Sequence, residues 1–383
     1  MTNVLYIPLD ERAEDLPVSL LQQVEIVKIL YKGAELIILD EPTAVLTPQG
    51  IEGLFQAIRY LTKHGKTVIL ITHKLKEVME ISDYITVLKN GEVTGNLYPG
   101  DTDEHGLASL MVGRQVLFNT SKQEKDTGGT VLDVKGLTVM GSDGIEKVKN
   151  VDLSVKKGEI VGIAGVAGSG QGELIEAVFG LRKPKTGTIT YKGQDITFAT
   201  PKEKREKKIG YVPQDRLATG CSTDCSLVEN CIMGYHVAHR FRNPLLVNKK
   251  EAEDFTRKVV EQFQVKTQDI HDKMGTLSGG NIQKAIVARE FKSPSDLLVL
   301  NQPTRGVDVG AISFIHSKIL EMRSHNKAIL LSSADLNELI SLSDRILVMH
   351  KGKVVGALSN TPKVTEQELG LYMLGLKKQE GLG

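Results

Sequence analysis

The 383-residue chain has no Trp, and aromatic residues make up only 5 % of it. Aromatic platforms for stacking single-stranded bases are therefore poorly supplied. An excess of charge of one sign is also missing: 48 Lys and Arg meet 47 Asp and Glu, for a net charge of +1. Nucleic-acid binders carry a basic excess, so no nucleic-acid partner is expected. The basic clusters EKREKK and RFRNP read as solvated faces. There are only three Cys, at 221, 225 and 231. That number is too small and odd for a disulfide framework, and CSTDCSLVENC matches no common zinc spacing. Reduced thiols in a cytoplasmic setting follow. No apolar run approaches the ~20 residues that cross a bilayer. The opening MTNVLYIPLDERAEDLP has neither the basic leader nor the apolar core of a signal peptide.

What the chain does have is an internal repeat. ELIILDEPTAVLTPQGIEGLFQAI lies on DLLVLNQPTRGVDVGAISFIHSKI, with Asp40 on Asn301, an offset of 261 (301 less 40). The offset continues without a gap, placing Thr72 on Ser333, Asp83 on Asp344 and Gly91 on Gly352. Backwards it lays LPVSLLQQ on LSGGNIQK. The second copy reaches back to about Thr130, where VLDVKGLTV begins a strand, and the offset leaves no counterpart for that stretch. The expected organisation is the C-terminal part of a first unit over 1–118, a Thr-, Ser-, Lys- and Gly-rich linker over 119–129, and a second unit over 130–383. Short runs apolar on both faces alternate with helical stretches, which predicts a mostly parallel α/β sheet.

EIVGIAGVAGSGQGELIEAVFG reads as strand, Gly-rich turn and helix. Such a turn aims backbone N–H groups at a phosphate, and the helix N-terminus adds its positive end. Gly165, Gly168, Ser169 and Gly170 suit the loop, but Gln171 stands where the phosphate-loop pattern wants Lys, and Gly172 and Glu173 follow in place of a hydroxyl. The loop is expected to keep its shape and lose its chemistry. LIILDEPT ends a strand in two acids: Asp40 can hold a magnesium shell, and Glu41 can orient or deprotonate a water. THK places His73 at the end of the next strand. The second copy has Asn301, Gln302 and Ala334 at these three positions. LSGGNIQK opens a helix with Ser278, Gly279, Gly280 and Asn281, readable as an anion-binding end or a plain cap. In the first copy Pro17 and Ser19 replace Ser278 and Gly280. Gln214, after the strand of KIGYVPQDR, can touch a metal and report its state to a partner.

Together, DEPTAVLTP, GYVPQDR, LSGGN and QPTRGVDVGA resemble the ATP-binding cassette family. Within it they are similar to the two-cassette ATPase subunit of sugar and nucleoside importers, over nearly the whole chain. The resemblance implies an α/β fold of P-loop NTPase type, with ABC nucleotide-binding domains and an inserted helical subdomain at about 215–290. It implies ATP and Mg²⁺ as cofactors, transmembrane permease subunits as partners, a solute-binding protein acting indirectly, and a position peripheral on the inner face of the cell membrane. A competent site would pair a phosphate loop with Asp40, Glu41 and His73 on one side and Ser278, Gly279 and Gly280 on the other. Two departures set further expectations. The first copy carries no phosphate loop, about 130 residues being absent by the offset, so a shortened chain, a split subunit completed by another cassette polypeptide, or a remnant is expected. The adenine-stacking aromatic is also missing, with Met140 and Ile145 in that stretch. Very low intrinsic ATPase activity follows. The alternatives are a non-catalytic nucleotide-binding scaffold and, with less support from the motifs, a soluble twin-cassette translation factor.

Overall fold

The computed structural model describes residues 24, 25, 28, 34–43, 46, 48–72, 74–89, 91–112, 127–236, 239–241, 246–361 and 363–379. His73, Pro17, Ser19 and residues 119–126 of the expected linker lie outside them.

The first copy comprises strand β1 (Leu36–Asp40), helix α1 (Pro48–Lys63), β2 (Thr67–Ile71), α2 (Leu75–Ile81), β3 (Ile85–Lys89), β4 (Glu92–Leu97) and α3 (Glu104–Val112). The second opens with β5 (Thr130–Met140), β6 (Glu146–Lys156), β7 (Ile160–Gly165), α4 (Gln171–Phe179), β8 (Pro184–Tyr191), β9 (Gln194–Asp195), α5 (Pro201–Glu206) and β10 (Ile209–Val212). Three helices follow without an intervening strand: α6 (Leu227–Ile232), α7 (Lys249–Phe263) and α8 (Gly279–Lys292). The chain then returns to the sheet through β11 (Leu297–Asn301), α9 (Val309–Ser324), β12 (Ala328–Ser332), α10 (Leu336–Leu342), β13 (Arg345–His350), β14 (Lys353–Ser359) and α11 (Glu366–Met373).

In the second copy a six-stranded sheet runs β10-β11-β12-β7-β13-β14, parallel except for the last strand. Its central strands are apolar on both faces because each face has its own core. Val161, Ile163, Val299 and Leu330 pack against α4 and the antiparallel sheet β6-β5-β8-β9. Ile160, Ala164, Leu298, Leu300 and Leu331 pack with α6 to α11. Local signals set the helix starts. Thr200 with Glu203, and Ser226 with Glu229, form capping boxes on α5 and α6, while Asp308 caps α9 through the N–H of Ala311.

The repeat is now structural. The offset of 261 carries α1 onto α9, α2 onto α10, β1 onto β11 and β2 onto β12 without a residue of slip. The copies differ in what lies between. In the second, β7 pairs with both β12 and β13. In the first, β1-β2 and β3-β4 are separate two-stranded sheets. Leu36, Ile38 and Ile69 are exposed at 52 %, 58 % and 46 %, whereas their counterparts Leu297, Val299 and Leu330 are fully buried. The copies also meet across a pseudo-two-fold axis. Lys76 Nζ donates to Asn337 Oδ1 at 3.0 Å, and these two residues are each other's counterparts, 261 apart. In the same sense α1 packs on α11, and α9 packs on α3.

One sequence expectation needs correcting. EKREKK is not a solvated face throughout: Lys204 is completely buried, and the Arg205 side chain is 15 % exposed. Among the described residues no helix is long and apolar enough to cross a membrane.

Candidate nucleotide-binding site

Strand β7 is buried along its whole length and delivers the chain to the Gly-rich turn. Gly168 and Gly170 adopt φ of +83° and +98°, the left-handed region that glycine occupies at little cost. At Gly170 glycine is obligatory: a Cβ there would stand 2.1 Å from the Lys147 carbonyl oxygen. The turn is held from both sides. Ser169 N donates to Val166 O at 3.0 Å, Gly352 N donates to Ser169 O at 3.1 Å, and Lys149 N donates to Gly352 O at 2.8 Å. Helix α4 starts at Gln171 with Gly170 as N-cap, so its free N–H groups face the turn.

The side chains around this turn are neutral where charge is needed. Gln171 folds back across the loop, its Nε2 donating to Val166 O at 3.2 Å. It lies so close that a Cβ on Gly165 would meet it at 2.4 Å. Gly172 offers no hydroxyl, and Gln214 Oε1 stands 4.0 Å from where its Cβ would be. Glu173 is in the first turn of α4. The loop therefore suits a nucleotide's phosphates through backbone N–H groups. It does not suit magnesium, a hard cation that wants carboxylate and hydroxyl oxygens. Its surroundings offer the amides of Gln214, Asn301 and Gln302 instead, and among the described residues no group of three His, Cys, Asp or Glu could hold a metal. Met140 and Ile145 stand at the ends of the β5–β6 turn, and Ile145 is exposed.

The acid pair sits in a frame that both copies build. Glu41 and Gln302 have φ of +47° and +54°, a strained backbone shared at counterpart positions. Glu41 N donates to Ile71 O at 2.9 Å, as Gln302 N donates to Ser332 O at 2.8 Å. Thr43 Oγ1 donates to Glu77 Oε2 at 2.7 Å, as Thr304 Oγ1 donates to Glu338 Oε1 at 2.9 Å. Inside this common frame the chemistry diverges. Asp40 is exposed at the end of β1, while its counterpart Asn301 is buried against Tyr211. Burial, with the Glu176 charge adding to it, pushes the Tyr211 hydroxyl up to about 12. Gln302 Oε1 accepts from Ala334 N at 3.0 Å, so the amide is engaged at the position counterpart to His73. Asp40 and Gln214 belong to different copies: Asp40 ends β1, and Gln214 follows β10 beside Gly172.

Ser278 is the N-cap residue of α8, yet its hydroxyl makes no capping bond. Instead Asn281 Nδ2 donates to Ser278 Oγ at 2.8 Å, and Asn281 Oδ1 accepts from Lys266 N at 2.8 Å. Asn281 thus fixes the Ser278 oxygen and leaves its hydrogen free to donate. The N–H groups of Gly279 and Gly280 complete an anion-accepting helix end. Sequence reasoning missed Arg216, whose guanidinium lies against Gly279. It also missed the buried Glu290, which anchors α8 to the sheet. The adjacent Asp-Arg after Gln214 was the available signal for the first; a Glu inside an otherwise ordinary helix gave none for the second.

Comparisons agree with this geometry. A family model described as ABC transporter matches residues 148–305. The guanosine import ATP-binding protein NupO of Bacillus subtilis is 47 % identical over 371 residues, covering 97 % of this chain and 72 % of that protein. The nucleoside import ATP-binding protein NupA of Lactococcus lactis is 41 % identical, covering 96 % of this chain and 72 % of that protein. The ribose import ATP-binding protein RbsA of Bacillus licheniformis is 35 % identical, covering 95 % and 73 %. Among solved structures, a dimeric bacterial ABC transporter cassette superposes with a TM-score of 0.53 at 22 % identity, covering 60 % of this chain and 99 % of that one, which supports the fold. With the P-loop NTPase sheet, the Gly-rich turn and this degree of similarity to import ATP-binding proteins, the chain belongs to the ATP-binding cassette family of transporter ATPases.

Proposed function

We propose that this protein is the ATP-binding subunit that powers import of a nucleoside, with simple sugars as the second solute class. The observation that carries the reading is the division of chemistry within one repeated frame. The strained position after β1 holds Glu41, and the same position after β11 holds Gln302. A carboxylate can orient a water and take its proton; an amide cannot. Hydrolysis is therefore assigned to the first copy, with Glu41 as base and His73 as the second catalytic residue. The loop of residues 165–173 holds nucleotide without turning it over. Mg²⁺ at Asp40 would neutralise phosphate charge when bound. Ser278, Gly279 and Gly280 would donate to the terminal phosphate of a nucleotide held by a facing phosphate loop. The nucleoside assignment draws support from the guanosine and nucleoside importers among the similar proteins.

Among the described residues, the first copy's separated sheets leave room where β7 stands in the second, beside the exposed Leu36, Ile38 and Ile69. We assign that room to a strand, Gly-rich turn and helix carrying a working phosphate loop, supplied by this protein or by another cassette polypeptide. The assembled subunit would dock on transmembrane permease subunits at the inner face of the membrane, and a solute-binding protein would act on it indirectly. The test is ATP turnover by the purified 383-residue chain, alone and with an added polypeptide bearing that unit. Low turnover alone, a rise on addition and its abolition by Glu41→Gln are expected. Turnover indifferent to Glu41→Gln would overturn the reading.

A further inference from the structure

Arg216 has no part in the reading above, yet it joins two of the segments that build the site to the turn that follows Gln214. It starts a turn of π-helical form, Arg216–Gly220, two residues after Gln214. Asp215 makes that turn rigid: its Oδ1 accepts from Leu217 N and Ala218 N at 2.9 Å each, and its carbonyl accepts from Thr219 and Gly220. From this base the Arg216 side chain crosses to the segment after β11, where Nη1 donates to Arg305 O at 3.1 Å and Gly306 O at 2.9 Å. Its Nη2 lies over the first residue of α8, since a Cβ on Gly279 would stand 2.6 Å from it. Glycine at 279 is what allows this approach.

The charge arrangement is unusual for a purely structural contact. A helix N-terminus is the positive end of the helix and favours an anion. Here a guanidinium is placed against it, bonded to carbonyl oxygens and to no carboxylate among the described residues. The acids on the flanking segments accept from amides, Asp215 Oδ1 within its own turn and Asp308 Oδ1 from Ala311 N, while Asp308 Oδ2 approaches the α8 N-terminus, 3.2 Å from where a Cβ on Gly280 would stand. The guanidinium and the positive end of α8 are thus held together through backbone carbonyls rather than by an ion pair, and an incoming phosphate would add negative charge to this cluster.

We infer that Arg216 is the positioning residue that fits the N-terminus of α8 to the terminal phosphate of ATP, by locking Gly279 to the carbonyls of Arg305 and Gly306. The inference rests on the reading that Ser278, Gly279 and Gly280 contact that phosphate. It implies that Gln214, on the same rigid turn, and the α8 N-terminus move as one body. ADP, which lacks the terminal phosphate, should be indifferent to it.

The test compares the parent protein with Arg216→Met and Arg216→Lys in the assembled transporter. With Arg216→Met, amide exchange at residues 282–285, the first hydrogen-bonded amides of α8, should speed up by at least about tenfold, the loss of one charge-assisted pair of bonds. Exchange in β7 and β11 should stay unchanged. The KM for ATP should rise by about the same factor. ADP affinity should stay within about twofold, a difference too small to represent a lost hydrogen bond. Arg216→Lys should restore part of both effects, because an ammonium can reach the two carbonyls but has no planar fork to cover Gly279. Unchanged exchange at 282–285, or equal weakening of ATP and ADP, would overturn the inference. A parent without turnover would count against the hydrolysis reading alone, because amide exchange still decides the role of Arg216.

Discussion

Replacing Glu290 by Gln should cost this protein about 3–5 kcal/mol, the usual penalty for breaking a buried ion pair from one side. Glu290 lies on α8 and is completely buried. Its Oε2 accepts from Arg205 Nη1 at 2.8 Å, Tyr235 OH at 2.6 Å and Tyr211 N at 3.2 Å, and its Oε1 accepts from Arg289 Nε at 3.0 Å. Glutamine has the right shape and the wrong inventory. If its oxygen takes the Oε2 position, its NH₂ faces the Arg289 N–H; turned the other way, it faces three donors. Two guanidiniums, 15 % and 4 % exposed, lose their counter-charge at the same time. The carboxylate ties α8, whose N-cap is Ser278, to β10 and α5, so α8 should loosen before the sheet does. The assay is urea unfolding followed by amide exchange within α8 and within β7 separately, since a chain of this size need not unfold in one step. Acid should reproduce the effect. Burial alone would raise the Glu290 pKa, but Arg205 and Arg289 outweigh it and hold it below 4.5. Its contribution is then complete above about pH 4.5 and is lost as pH falls through the lower folded value. A loss of less than about 1 kcal/mol in Glu290→Gln would refute the reasoning, because desolvation would then nearly cancel the pair.

Two further outcomes follow from the phosphate-loop region. Lys204 is fully buried and donates to Val178 O at 2.8 Å and Ala177 O at 3.3 Å at the end of α4. Burial lowers its pKa from 10.5 to about 8, so the unfolded chain holds the extra proton between those values and stability should rise with pH across that window. The gain should be up to about 3 kcal/mol; melting curves of the parent and Lys204→Met against pH should show the slope only in the parent. Gly170→Ala puts a Cβ 2.1 Å from a backbone oxygen, whereas Gly168→Ala meets open space at a similar positive φ. The first should lower stability by well over the ~1 kcal/mol expected of the second, and calorimetry on the two variants decides.

Much of this architecture was legible because the repeat is ungapped. Once Asp40 was laid on Asn301, every element of the first copy found its partner, down to the φ shared by Glu41 and Gln302. The apolar runs of β7, β11 and β12 announced strands buried on both faces. The antiparallel sheet was harder to read. Lys interrupts β6, and β8 carries Pro and Gly, so only β5 was recognised as a strand. Lys204 and Arg205 were misread because a run of charges in sequence says nothing about which of them turns inward. Arg205 lies between the rings of Phe179 and Tyr235, at 5.3 and 4.8 Å from their centroids, contacts that only the tertiary fold creates. Ser278 was read as either a cap or an anion contact; the Asn281 amide that holds its oxygen favours the second.

The most direct test of the account is ATP turnover by the assembled subunit carrying Glu41→Gln or Gln302→Ala. The two residues share one backbone frame and differ in one functional group. Loss of a general base should lower turnover by about 100-fold or more in Glu41→Gln, and Gln302→Ala should stay within about threefold of the parent. Equal losses at the two positions, or a larger loss at Gln302, would contradict the claim that hydrolysis belongs to the first copy.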